Sequence, residues 1–118
     1  MLNENAKKWV AALRSGEYQQ DKAYLRTENG LCCLGVACDL YMKLFGGQWE
    51  KGMEGFRFLG SDQVLPTDVR AWLGMRDVQG AYGPIASNKM LTIDNDQGKT
   101  FAQIADIIES EPEGLFVK

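Results

Sequence analysis

The sequence contains no histidine, and this absence limits the chemistry that its side chains can carry out. Histidine changes its charge near neutral pH, takes the proton in Ser-His-Asp and Cys-His catalytic sets, and is the commonest metal ligand. Without it, the carboxylates are the main candidates for general acid–base catalysis. A small carboxylate-based enzyme is therefore one hypothesis for this chain, with Asp39, Asp94 and Asp96 as its candidate residues.

The three cysteines lie close together in an apolar stretch, at positions 32, 33 and 38. Their C-C-x4-C spacing lacks the C-x2-C unit of structural zinc sites, and an odd number of cysteines is untypical of a secreted disulfide framework. Unpaired cysteines are among the most frequently buried residues. We therefore predict that Cys33 and Cys38 are buried, reduced thiols, and we predict no metal site and no cofactor.

The polar run Asp94-Asn95-Asp96-Gln97-Gly98 resembles a calcium-binding loop only superficially. An EF-hand places glycine at position six, after acidic or amide ligands at positions one, three and five. With Gly98 at position six, Ile93 occupies position one and the match fails. We interpret the run as a turn before a helix, and a weak carboxylate site for magnesium or another ligand is the alternative.

Two aromatic residues, Trp49 and Tyr82, fall outside the helical stripes of apolar residues. Aromatic rings can stack on a flat ligand, and a nearby arginine adds a cation. Tyr82 also lies in the irregular stretch from Met75 to Lys89, which is long for a loop in a small domain and is a candidate functional surface. Packing in the core or at its rim is the structural alternative for both rings. The candidate ligand-binding residues are Trp49, Arg57, Arg70, Arg76, Tyr82, Asp94 and Asp96.

Asp39 lies within the most apolar helix that the sequence predicts, close to Val36, Leu40 and Phe45. A carboxylate in such surroundings must find a partner or shift its pKa, because an unpaired buried charge is costly. We therefore predict that Asp39 is at least half buried and accepts a hydrogen bond from a backbone amide, a Trp indole or an arginine. A structural role and a ligand-binding role are both consistent with this prediction.

The elements that position these residues follow from the periodicity of the apolar side chains. In the first half of the chain we predict a helix over residues 3–16 and a central, largely buried helix over residues 34–45. Between them, Asn29-Gly30 favours a tight turn that joins two short strands, residues 23–27 and 31–33.

The second half of the chain contains a similar mixture of helices and strands. We predict strands over residues 56–58, 91–93 and 115–117, a helix over residues 66–74, and a last helix that begins with a capping box of Thr100 and Gln103. These patterns predict the α+β class: a single compact domain over residues 1–118, with about three to four helices packed on a small antiparallel sheet.

Length, composition and charge narrow the possible partners. A chain of 118 residues with a net charge of −3 has no dense basic face, so direct nucleic-acid binding is not expected. No apolar stretch reaches the roughly 20 residues that span a bilayer, and the N-terminus lacks the regions of a signal peptide. We expect a soluble protein of the cytosol without membrane contact, and homo-oligomer formation stays open.

Three segments together resemble a family of small uncharacterised proteins from bacteriophages and some bacterial genomes. The segments are residues 9–18 (W-V-A-A-L-R-S-G-E-Y), residues 31–40 (L-C-C-L-G-V-A-C-D-L), and the pair formed by residues 65–74 and 95–105. The central motif C-C-L-G-V-x-C-D-L is the specific one. Where the family tends to read Leu-Asn-Asp, this chain has Asp94-Asn95-Asp96.

The resemblance implies a binding protein more readily than an enzyme. Small phage proteins of this kind often counter a host defence by occupying a host protein or by sequestering a nucleotide signal, which is an argument by analogy. The leading hypothesis is a non-catalytic protein that antagonises a host process, with a small nucleotide-like molecule or a host protein as its partner. The carboxylate-based enzyme and a structural or assembly accessory protein are the alternatives.

Overall fold

The computed structural model describes residues 1–84 and 86–117. These residues form five helices and four short strands. The strands form two separate antiparallel pairs, β1 with β2 and β3 with β4. This arrangement confirms the predicted α+β class, although two small sheets replace the single sheet that we predicted. The elements are α1 (Glu4–Arg14), α2 (Cys33–Phe45), β1 (Trp49–Lys51), β2 (Phe56–Phe58), α3 (Thr67–Leu73), β3 (Ala81–Tyr82), β4 (Lys89–Met90), α4 (Leu91–Asp96) and α5 (Phe101–Glu109).

The helix ends follow the capping residues of the sequence. Asn3 caps α1, because its side chain accepts a hydrogen bond from the backbone N–H of Ala6 at 2.8 Å. Thr100 and Gln103 form the predicted capping box at the start of α5. Gly74 ends α3 in the left-handed conformation. No helix in the described part of the chain is long and apolar enough to cross a membrane.

Helix α2 lies at the centre of the core over its first half only, and the prediction that it is largely buried over residues 34–45 is wrong for its end, where Leu44 and Phe45 are exposed. Its first six residues are buried, and α1, α3 and α4 pack around it. The indole N–H of Trp9 donates a hydrogen bond of 2.9 Å to the carbonyl oxygen of Cys33. Gly35 is required by packing, because a Cβ at this position would overlap the carbonyl oxygen of Leu25. Helix α2 and the segment before it are therefore in direct backbone contact.

The predicted strands over residues 23–27 and 31–33 are wrong. Ala23 has a φ of +74°, and the N–H of Leu25 donates to the carbonyl oxygen of Asp62 instead of to a neighbouring strand. Only an isolated bridge between Arg26 and Leu31 remains, next to the turn that ends at Gly30. A turn is present at the predicted place, where the N–H of Thr27 donates to the carbonyl oxygen of Gly30, but neither Asn29 nor Gly30 has the positive φ of a tight Asn-Gly hairpin turn. The tertiary bond to Asp62 takes the place of a regular strand pairing.

The predicted strand over residues 91–93 is also wrong, because these residues begin helix α4. The β-branched residues Thr92 and Ile93 favour a strand, but Leu91 and Asn95 lie one helical turn apart and are both fully buried. This burial outweighs local propensity. The predicted edge strand over residues 115–117 is reduced to a single bridge between Met75 and Phe116.

Candidate functional site

The stretch between α3 and α4 lines a cavity of about 380 Å³ that is open to solvent, which we call the 76–90 pocket. Residues 76–90 supply most of its wall, and Gly114 from the C-terminal segment completes it. The predicted candidates Arg76 and Tyr82 both line this cavity. Its polar side chains come from Arg76, Asp77, Tyr82, Ser87, Asn88 and Lys89.

Two glycines form the floor of the pocket and bring its two cations close to the backbone. An ideal Cβ on Gly114 would lie 3.5 Å from the carbonyl oxygen of Gly83 and 3.8 Å from Nη1 of Arg76. An ideal Cβ on Gly83 would lie 3.5 Å from Cδ of Lys89. Both glycines have positive φ, +87° at Gly83 and +82° at Gly114. A side chain at either position would be strained and would fill space beside a cation.

The cations of the pocket have no anionic partner in the described part of the chain. Neither Arg76 nor Lys89 takes part in a salt bridge there. The nearby carboxylate of Asp77 is held by the local turn, since it accepts hydrogen bonds from the backbone N–H groups of Gln79 at 2.8 Å and Ala81 at 3.2 Å. The pocket therefore presents a net positive wall to solvent.

Tyr82 is fixed in the pocket by an acid behind it. Its hydroxyl donates a hydrogen bond of 2.6 Å to Oδ2 of Asp94. Burial, together with this bond to Asp94, raises the pKa of Tyr82 to about 12. The phenol is therefore protonated at neutral pH, so it can pack against a ligand or donate a hydrogen bond but is a poor base or nucleophile.

Two of the five non-glycine residues with positive φ in the described part of the chain lie in the same loop. Ala86 and Asn88 have φ values of +68° and +59°, and Gly80 and Gly83 are also left-handed. Non-glycine residues rarely adopt this region, and strained residues cluster at ligand sites where the surrounding structure holds them. The shape of the loop is thus maintained against local preference.

The other predicted ligand-binding residues do not converge on this pocket. The guanidinium of Arg70 donates to the carbonyl oxygen of Met75 at 2.9 Å, and Asp96 accepts a hydrogen bond from the N–H of Ala23 at 3.0 Å. Trp49 pairs with Phe58 and Arg57 pairs with Glu50 in the β1–β2 hairpin. Since side chains alternate along a strand, Trp49 and Arg57 point to opposite faces of the hairpin.

Sequence reasoning missed the cation that contacts Trp49, which is Arg26. Its guanidinium carbon lies 5.6 Å from the centroid of the Trp49 ring and 5.0 Å from that of Phe56. The backbone N–H of Phe56 donates to the carbonyl oxygen of Arg26 at 2.9 Å, which joins the two segments. The contact depends on this tertiary pairing, and no spacing in the sequence signals it.

Asp39 is buried and paired, as predicted. Its side chain is 13% exposed and accepts hydrogen bonds from the Tyr18 hydroxyl at 2.7 Å and the Trp49 indole at 3.2 Å. Lys43, one turn further along α2, lies 3.3 Å away. Burial alone would raise the pKa of Asp39, but the bonds from Tyr18, Trp49 and Lys43 outweigh it and lower the pKa. These bonds join α2 to its neighbours.

The three thiols are buried and free. Burial raises the pKa of Cys32 to about 11 and raises the pKa values of Cys33 and Cys38 well above the usual thiol range. Neutral thiols of this kind are poor nucleophiles. Among the described residues, no group of three or more Cys, Asp or Glu side chains is placed to hold a metal ion.

A second residue that sequence reasoning missed is Asn95 of α4, which is completely buried where α4 contacts α2. Its Oδ1 accepts hydrogen bonds from the N–H of Cys33 at 3.1 Å and from the side chain of Gln20 at 2.9 Å, and its Nδ2 donates to the carbonyl oxygen of Asp21 at 2.8 Å. Cys32, the N-cap residue of α2, makes no side-chain cap. Asn95 therefore satisfies one of the backbone N–H groups at the start of α2 that have no partner within the helix.

Comparison with known proteins shows a family but no activity. No curated protein and no solved structure matches the chain. A family model described as a domain of unknown function, DUF8296, matches residues 1–112. The expected membership of an uncharacterised family is thus confirmed. The chain belongs to the DUF8296 family.

Proposed function

We propose that this chain is a non-catalytic binding protein that sequesters a small, anionic, nucleotide-like ligand in the 76–90 pocket. The observation that carries the proposal is the pair of cations, Arg76 and Lys89, beside a glycine floor and the anchored ring of Tyr82. Ligand pockets typically combine such convergent polar groups with a preformed cavity of about 300–1,000 Å³. The volume of about 380 Å³ lies within that range.

Binding is favoured over catalysis by the state of the reactive groups. The pKa values of Tyr82 and of all three thiols are raised, away from the range of a base or nucleophile at neutral pH. The three acids of the enzyme hypothesis are each engaged in hydrogen bonds: Asp39 with Tyr18 and Trp49, Asp94 with Tyr82, and Asp96 with the backbone of Ala23.

The biological setting that we propose follows the resemblance noted in the sequence. The chain is of bacteriophage type, acts in the cytosol of the host cell, and antagonises a host defence process by withholding the ligand from its receptor. Sequestration of this kind needs tight binding and no turnover, so it is compatible with the absence of histidine from the sequence. The analogy with other small phage proteins supports this setting.

The test is recovery of the ligand from a cell extract. The purified protein is incubated with the extract, recovered and heat-denatured, and the released small molecules are identified by mass spectrometry. We expect an unchanged phosphorylated compound from the wild type and none from the double variant Arg76→Met/Lys89→Met. The matched control is Arg57→Met/Lys8→Met, which removes two exposed cations outside the pocket. A chemically altered compound would support the enzyme hypothesis instead.

A host protein is the second candidate partner, because one end of the molecule exposes aromatic surface. Phe45 is 61% exposed and Leu44 is 52% exposed at the end of α2. The Phe45 ring packs edge-on against Trp72 with centroids 6.2 Å apart, and Tyr41 joins the cluster. Exposed apolar clusters of this kind often mark protein interfaces. Loss of a co-purifying host protein with Phe45→Ser, but not with Arg76→Met, would favour this candidate.

A further inference from the structure

We infer that the 76–90 pocket is built for a ligand that carries a single phosphate group in monoester linkage and is about the size of one nucleotide. This inference rests on the proposed function and deepens it by naming the ligand class. Three features of the pocket carry it: the number of its cations, the position of its acids, and its volume.

The first feature is charge balance. A phosphate monoester carries a charge of about −1.5 to −2 at neutral pH. Arg76 and Lys89 together supply two positive charges, and both are without a salt bridge among the described residues. An arginine can bind phosphate through two parallel N–H donors, and a lysine acts as a point charge beside it. The carboxylate of Asp77 lines the same pocket, so the net charge of the lining is +1, and a ligand with one phosphate balances it more closely than a ligand with two or three.

The second feature is the position of the acids, which disfavours longer phosphate chains. Asp77 lines the pocket itself, and its carboxylate is fixed there by the N–H groups of Gln79 and Ala81. Glu113 lines an adjoining cavity that Arg76 also lines. A second or third phosphate on the ligand would add negative charge to a region that already holds these two carboxylates, and like charges repel.

The third feature is the volume of the pocket, together with the shape of its floor beside the cations. Arg76 lies beside Gly114 and the stem of Lys89 lies beside Gly83, while the two glycines are in contact through the Gly83 carbonyl oxygen. The phosphate site is thus a glycine floor with the Arg76 guanidinium and the Lys89 stem beside it, and the hydroxyl of Ser87 also lies next to Gly83. Tyr82, Pro84 and Met90 supply the apolar part of the wall. A volume of about 380 Å³ is near the lower limit for ligand pockets, which matches a ligand of about the size of one nucleotide.

The experiment is a titration of the full chain by calorimetry at low salt. The ligands are adenosine and uridine, their 5′-monophosphates and 5′-triphosphates, a 3′,5′-cyclic monophosphate, ribose 5-phosphate and inorganic phosphate. We expect at least one monophosphate to bind at least about tenfold more tightly than the matching nucleoside, triphosphate and cyclic diester. Equal binding of ribose 5-phosphate would identify a sugar phosphate, not a nucleotide, as the source of the phosphate.

The pH dependence of binding tests the monoester directly. The second pKa of a phosphate monoester is about 6, so affinity should fall as the pH is lowered from 7.5 to 5.5. The titratable side chains that line the pocket or adjoin it are Arg76, Asp77, Tyr82, Lys89 and Glu113, and no histidine is present to titrate in this interval. Any decline in affinity over this interval is therefore assigned to the ligand. A diester should show no such decline.

Variants and outcomes separate this inference from the proposed function. Arg76→Met and Lys89→Met should each weaken monophosphate binding at least about tenfold, whereas Lys8→Met on α1 should not. Tighter binding of the triphosphate, or a pH-independent affinity, would overturn the single-phosphate inference and leave the proposed function standing. Failure of every compound to bind, together with no phosphorylated compound from the extract, would overturn both.

Discussion

The junction between α2 and α4 and the 76–90 pocket use their polar groups in opposite ways. At the junction, Asn95 is completely buried, and both polar atoms of its side chain form hydrogen bonds inside the protein. In the pocket, Arg76 and Lys89 are exposed and form no salt bridge with the described residues. Polar groups that bond one another stabilise a fold, whereas cations without an internal partner remain accessible to a ligand.

The sequence segments on which the resemblance rests lie nearer to the junction than to the pocket. The motif residues Cys33 and Gly35, together with Asn95 and Trp9, lie at or beside the junction and hold α1, α2 and α4 together. The pocket, in contrast, is lined mainly by residues 76–90, which lie outside the motifs. Substitutions in the two regions should therefore separate stability from binding.

The largest loss of stability is expected for Gly35→Ala. In an exposed helix, a change from Gly to Ala raises the free energy of unfolding by about 1 kcal/mol. Here the new Cβ would overlap the Leu25 carbonyl oxygen, so we expect a loss of roughly 3 kcal/mol from overpacking. Chemical denaturation followed by circular dichroism measures it. Gly16→Ala is the control, because its Cβ meets nothing within 4 Å and only the φ of +77° is strained. An equal loss in both variants would contradict the packing argument.

Asn95→Ala should have the next largest effect, a loss of roughly 2–3 kcal/mol, because it leaves the buried Cys33 N–H without its partner and also removes the bonds to Gln20 and to the Asp21 carbonyl oxygen. Urea denaturation at pH 7 measures the change. Gln97→Ala, an exposed position at the end of the same helix, should change stability by no more than about 0.5 kcal/mol. If the two variants were equally stable, the junction would not be the structural centre that we describe.

A smaller and pH-dependent effect is expected at Asp39. Its pKa is lowered in the folded state, so its charged form contributes stability that is complete above the unfolded carboxyl pKa of about 3.9 and is lost as the pH falls through the lower folded value. Asp39→Asn should lower the free energy of unfolding by about 1–3 kcal/mol at pH 7, and by less below about pH 4.

Thermal unfolding of both proteins between pH 7 and pH 3 measures this difference. Asp62→Asn changes an exposed acid and serves as the control, for which we expect a change within about 0.5 kcal/mol. A stability difference for Asp39→Asn that stays constant down to pH 3 would show that geometry, and not charge, accounts for its role.

The sequence predicts the capped helices well, because caps and apolar stripes are local signals. Asn3, Thr100 and the buried first half of α2 lie where the pattern places them, whereas Leu44 and Phe45 at the end of α2 are exposed. Asp39 was also predictable, since a carboxylate in an apolar helix needs partners. Arg26 and Asn95 were not, because their partners come from distant segments. Helix α4 was missed for the same reason, since its helical form depends on burial of Leu91 and Asn95.

The smallest effect on stability is expected in the pocket, and it is the most direct test of the contrast. Arg76→Met and Lys89→Met keep the apolar stems and remove only the charges, so the free energy of unfolding should change by no more than about 0.5 kcal/mol. Tyr82→Phe in the same pocket removes the hydrogen bond to Asp94 and should cost about 1 kcal/mol, which shows that the measurement is sensitive enough. Thermal unfolding without ligand measures the stability of all three variants.

The monophosphate that binds in the calorimetric titration should then raise the melting temperature of the wild type and not that of the charge variants, because only a protein that binds in the folded state gains stability from the ligand. A loss above about 1 kcal/mol for either charge variant without ligand would place the pocket cations among the groups that stabilise the fold, and the distinction between the two regions would fail.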